Sequence, residues 1–124
     1  MENFNLLDRK KRYYEILKRP KGIKAKIELL SRRLELKKSP EDREELIQRI
    51  EAQKAALEEA ENDVLDLIDH IPRIDDYRVA RLRYIDCMHD SDIAYTIEKS
   101  PSFVRNCSTP RLIATILANQ VFTP

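Results

Sequence analysis

Cys87, His89 and Cys107, with His70 upstream, are the side chains of this chain best suited to hold a transition metal. Structural zinc takes four thiolate or imidazole ligands, usually with a CxxC pair among them. Cys87-x-His89 plus Cys107 supplies three, without that pair, and His70 lies well outside the cluster, so no metal is expected. Two cysteines are also too few for a disulfide framework and are expected to be buried thiols. Glu58-Glu59 and Asp75-Asp76 are carboxylate pairs in sequence alone. Acid–base catalysis needs two carboxyls whose surroundings push their pKa values apart, and no apolar setting isolates one member here. No nucleophile has a base beside it. The lone glycine, Gly22, rules out GxGxxG and P-loop turns, which need several residues that let the backbone approach phosphate. The expectation is a protein with no catalytic residues and no cofactor.

The remaining chemistry is charge, and it is segregated. Residues 1–40 carry 13 Lys/Arg against 5 Asp/Glu, a net +8, whereas residues 41–76 carry 4 against 13, a net −9. Residues 77–124, with 6 against 4, are at +2. The cluster Arg9-Lys10-Lys11-Arg12 admits two uses: an arm on nucleic-acid phosphates, or a solvated face pairing with the acidic segment. Complementarity along coiled coils favours the second. Tyr13 and Tyr14 are expected at core and rim, not as base-stacking platforms. The start Met1-Glu2-Asn3-Phe4-Asn5 lacks the layout of a signal peptide, and no apolar run approaches a membrane span. A soluble, cytoplasmic protein without a membrane partner is expected.

High charge with one glycine points to an all-α fold. Helical spacing of Leu6, Leu7, Tyr13, Tyr14, Ile16 and Leu17 predicts a basic helix over about 5–18, broken at Pro20-Lys21-Gly22. Ile23, Ile27, Leu30 and Leu34 form a coiled-coil seam over 22–38. Ser39-Pro40-Glu41-Asp42 is a cap, a first-turn proline and two acids suited to a helix start. From there Leu46, Ile50, Gln53, Leu57, Ala60, Val64, Leu67 and Ile71 alternate by 4 and 3, a helix of roughly 45 Å. Leu34 with Leu46, Leu30 with Ile50, Ile27 with Gln53 and Ile23 with Leu57 have residue numbers that add to 80, so an antiparallel hairpin reversing at Pro40 keeps both seams in phase. The alternative is one kinked helix that dimerises. Ala60, Val64, Leu67 and Ile71 lie beyond the partner seam and need cover from the basic helix, the C-terminal unit or another subunit.

His70 suits the end of this long helix, and a new unit begins after Ile71-Pro72 with Asp75 or Asp76 as cap. Val79, Leu82 and Ile85 give one apolar face over 77–87; Ile93, Ala94 and Ile97 another, over 91–98 after the cap candidates Asp90 and Ser91. Ser100-Pro101 opens a short helix over 101–108, and Ser108 or Thr109-Pro110 a fourth containing Leu112, Ile113, Ile116 and Leu117. The domain division expected is 1–72, a basic helix and coiled-coil hairpin, and 75–120, three to four helices in a helix-turn-helix layout.

The run Leu82-Arg83-Tyr84-Ile85, Asp92-Ile93-Ala94, Ile97, Ser100, Phe103-Val104-Arg105 and Leu112 resembles the region-4 helix-turn-helix of sigma-70-related factors. A coiled-coil leader before such a unit is similar to the ArpU/RinA-like phage and prophage regulators. The resemblance covers 77–118 at motif level. It implies a sequence-specific transcriptional regulator in a bacterial host cell, with double-stranded DNA as partner and RNA polymerase as a further one. It also implies that 91–98 supports and 101–108 enters the major groove, with Ser102, Arg105 and Asn106 on base edges and Lys99, Ser100, Thr109 and Arg111 on phosphates. Glu98-Lys99 stands where such turns usually carry glycine, and Cys87 where a second glycine is common, so a left-handed residue with a side chain is expected in the turn. Two other readings remain open: an interaction protein that binds polymerase or another host protein, or itself, through the coiled coil, and a small DNA-recognition subunit of a packaging machine.

Overall fold

The structure is a computed structural model, and it describes residues 6–120. It is all-α: α1 (Leu6–Leu36), α2 (Pro40–Ile68), α3 (Ile74–Tyr84), α4 (Asp90–Ile97), α5 (Pro101–Asn106) and α6 (Thr109–Ala118). Among the described residues, no helix is long and apolar enough to cross a membrane.

Contacts between α1 and α2 run in opposite senses along the chain. Beside the turn, Arg43 donates to Leu34 O at 2.9 Å and to Lys37 O at 3.2 Å. Further along, Leu30, Leu46 and Ile50 form a small buried cluster with Ile27 and Leu34 against it, and Arg19 and Asp63 lie 3.8 Å apart still farther on. Ser39 caps α2 by accepting from Asp42 N, with Pro40 in the first turn, as its side-chain chemistry suggests.

The break expected at Pro20-Lys21-Gly22 is absent, and α1 runs through it as one 31-residue helix. A proline inside a helix forfeits a hydrogen bond and crowds the carbonyl four residues back, here Ile16, at about 3 kcal/mol. Packing outweighs that cost. Tyr13, Leu17 and Pro20 are all buried, and each fully buried large side chain contributes about 1.5–3 kcal/mol. Tyr13, Ile16, Pro20, Ile23, Ile27, Leu30 and Leu34 continue a single 3-4 repeat, so the proline ring occupies a seam position. Gly22 is exposed and nothing lies near its missing Cβ, so it serves no turn and no close approach.

The far half of α2 is covered from two sides. Val64, Leu67, Ile68 and Ile71 share one core with Tyr13 and Leu17 of α1 and with Val79, Ile93, Val104, Leu112 and Ile116 of the C-terminal helices. The segments 1–72 and 75–120 thus contribute to a common core. Two helix starts differ in detail from the expected caps. Asp75 and Asp76 lie inside the first turn of α3, whose N-cap is Arg73. His89 precedes α4, with Asp90 as its first residue, and neither cap makes a side-chain bond. Ser100 and Ser108 do cap, accepting from Phe103 N at 3.1 Å and Arg111 N at 3.4 Å.

Because Leu17 holds α1 to the common core while Leu36 is 81% exposed, truncating each should give opposite results. Leu17→Ala is expected to lose about 2–4 kcal/mol in urea unfolding and Leu36→Ala under about 0.5 kcal/mol. Equal, small losses would mean that the first half of α1 is not docked.

Candidate nucleic-acid interface

The α4–α5 unit begins with its core: Ile93, Ala94, Ile97, Val104 and Leu112 are buried, as their spacing requires. α4 ends at Glu98, whose φ of 59° and ψ of 45° place it in the left-handed region. Glu98 N and Lys99 N donate back to Tyr95 O and Ala94 O, a tight stop after which Ser100 and Pro101 start α5 in a new direction. Cys87, after α3, has a φ of 56°. Among the described residues these are the two with a side chain and a positive φ.

α5 has six residues, and Cys107, with φ −85° and ψ 57°, interrupts it before Ser108 and Pro110 start α6. A single turn and a half does not persist unaided. Arg83 of α3 supplies the support: its guanidinium donates to Cys107 O at 2.6 Å, to Val104 O at 3.2 Å and to Asp90 Oδ1 at 3.1 Å. One planar fork therefore closes the carbonyl end of α5, where positive charge is favoured, and ties it to the start of α4. Its side chain is only 16% exposed, which strengthens each of these bonds. Spacing alone does not reveal this role; the signal available was an arginine inside the apolar run Leu82-Arg83-Tyr84-Ile85. Arg111 assists from α6 by donating to Asn106 O at 2.9 Å.

Ser102, Arg105 and Asn106 lie on the exposed side of α5. Arg105 donates to Ser102 Oγ at 3.1 Å, one turn back, which leaves most of its donors facing solvent. The four residues expected on phosphates are each engaged within the protein. Lys99 sits 3.3 Å from Asp75 and over the Phe103 ring, and the Ser100 oxygen is the α5 cap. The Thr109 hydroxyl bonds the Tyr84 hydroxyl, joining α6 to α3, and Arg111 holds Asn106 O. None of the four is buried.

Cys107 is buried and its thiol donates to Asp76 Oδ1 at 3.4 Å. Burial, reinforced by the bond to Asp76 and its negative charge, pushes the thiol pKa up, so it stays a proton donor to the buried carboxylate. Cys87 is half-buried. Among the described residues, no three His, Cys, Asp or Glu side chains converge as a metal site would require. Neither a protein-family model nor a curated protein nor a solved structure matches the chain.

Two outcomes follow from this geometry. Arg83→Met keeps the aliphatic stem and removes the fork, so it is expected to cost about 2–3 kcal/mol and to raise amide exchange at Val104–Cys107 ahead of α2. Glu98→Gly relieves a left-handed residue whose side chain bonds to none of the described residues, a strain of about 1–2 kcal/mol offset by about 0.4–1 kcal/mol of unfolded-chain entropy. Its thermal midpoint should rise, whereas that of Glu98→Val should fall.

Proposed function

We propose that this protein is a non-catalytic, sequence-specific DNA-binding regulator, of the ArpU/RinA-like kind, that presents α5 to the major groove. The observation that carries the reading is the exposed face of α5, where Ser102, Arg105 and Asn106 stand free of the core while Val104 anchors the helix from beneath. Arg matches the paired acceptors of guanine and Asn the donor–acceptor pair of adenine. α4 supports α5 through the left-handed turn at Glu98, as the supporting helix of such a unit does.

The internal bonds of the phosphate-facing residues are compatible with this role. The Lys99–Asp75 pair is substantially exposed and worth about 0.2–1 kcal/mol at most, so a phosphate can displace the carboxylate. Ser100 uses a lone pair to cap α5, which leaves its O–H to donate. Arg111 commits one of its donors to Asn106 O. These contacts would set position and affinity, and the α5 face would set sequence preference.

A second reading, a protein partner on the leader helices, draws on exposed Leu29, Leu36 and Ile47 near the α1–α2 turn. Selection from a randomised duplex library with the full chain separates the two. An enriched motif is expected, with Arg105→Ala binding it roughly 10–100-fold more weakly, for about 1–3 kcal/mol, and losing preference at one base pair. Absence of any enriched sequence across the salt range, with Arg105→Ala indistinguishable from wild type, would overturn the regulator reading in favour of the second.

A further inference from the structure

The seam of α1 divides its basic residues between two flanks. On one flank, Arg12 lines a cleft with Asp63 and Asp66 of α2, and Arg19 pairs with Asp63. On the other flank Lys11, Tyr14, Lys18 and Lys21 recur at 3 and 4, with Lys10 one turn before Tyr14, which by helical spacing sets this stripe across the seam from Arg12 and Arg19. Lys10, Lys11 and Tyr14 line a groove with Pro110 and Ile113 of α6. Lys18 and Lys21 line the adjoining cleft with His89, at the start of α4, and Thr109, at the start of α6.

All four lysines are exposed, and among the described residues none has a carboxylate within ion-pair distance; Lys18 instead donates to the Tyr14 hydroxyl and lies over its ring. Asp8 and Glu15 stand one turn from Lys11 and Glu15 one turn from Lys18, so the stripe keeps a net positive charge whose members repel one another. The arrangement is stabilised by a partner that carries negative charge at regular intervals. The stripe borders Thr109-Pro110 at the start of α6, three residues along the chain from the α5 end at Asn106 and next in sequence to Arg111. Lys24, next along this flank, is drawn inward to Ile85 O and Glu61, which ends the stripe and ties α1 through a side chain to the backbone at the end of α3.

We propose that Lys10, Lys11, Lys18 and Lys21 of α1 form a second contact with duplex phosphates, beside the α5 face. The proposal rests on the DNA-binding reading above and extends the interface from the C-terminal helices onto the leader. The leader then supplies affinity without sequence preference, and its docking fixes how α5 meets the groove.

The test measures affinity for a selected duplex and a scrambled one over a salt series, using the full chain. A variant carrying Lys10→Gln, Lys11→Gln, Lys18→Gln and Lys21→Gln is compared with a control of equal charge change remote from the stripe, Lys26→Gln, Arg33→Gln, Lys37→Gln and Lys38→Gln. Glutamine keeps helix propensity, and circular dichroism verifies folding of both. The stripe variant is expected to bind both duplexes roughly 10–100-fold more weakly, with a log–log salt slope shallower by roughly 2–4, while the control stays near wild type. Equal behaviour of the two variants overturns the proposal and leaves the α5 reading intact. If wild type binds duplex without sequence preference and the stripe variant alone loses that binding, the proposal stands and the α5 reading falls. No binding of any duplex by wild type at low salt overturns both.

Discussion

The orientation of α5 depends on the guanidinium of Arg83. A helix of six residues leaves nearly all its terminal carbonyls without internal partners, and α5 stops at Cys107 because Ser108 and Pro110 begin a new helix there. Arg83 collects two of those carbonyls and the Asp90 carboxylate in one plane. A lysine has no such fork. Around this point Tyr84 reaches Thr109, Arg111 reaches Asn106 and Cys107 reaches Asp76, so α3, α4, α5 and α6 meet at the carbonyl end of the short helix. Exposure of Ser102, Arg105 and Asn106 is the other side of the same arrangement: Val104 and Cys107 are buried, and these three are left outside.

The segregated charge acquires a second meaning from the continuity of α1. Had the chain turned back at Pro20, its basic residues would have been free to fold along the acidic helix. Because α1 stays straight enough to bury Tyr13, Leu17 and Pro20, its seam separates Arg12 and Arg19 from the lysine stripe. Arg19 on one flank and Lys24 beside the other meet Asp63 and Glu61 of α2, while the lysine stripe borders α4 and α6. The Arg19 and Lys24 pairs match the pairing that complementarity between the segments suggests, and the stripe does not.

Much of the layout was legible in residue patterns. Ser39-Pro40, Ser100-Pro101 and Ser108 mark helix starts because a hydroxyl can accept from a free N–H and proline lacks the donor a first turn cannot use. Ile93, Ala94, Ile97, Val104 and Leu112 are buried where helical spacing puts them. Pro20-Lys21-Gly22 misled, since local propensity disfavours a helix there by a few kcal/mol and says nothing of the core on either side. The uninterrupted 3-4 repeat from Tyr13 to Leu34 was the opposing signal. Asp75, Asp76 and Asp90 misled similarly: each suits a cap by type, but Lys99, Cys107 and Arg83 engage their carboxylates elsewhere.

The residue order by itself determined the helical class, the starts of three helices and the need for a left-handed residue at the α4–α5 turn, because these follow from contacts within a few residues. Tertiary structure alone decided that α1 continues through its proline, that a single core joins leader and C-terminal helices, that Arg83 closes α5 and that the lysine stripe lies beside α6. Each of those depends on side chains distant in sequence, brought together by burial of apolar surface whose free energy exceeds the local preferences it overrides.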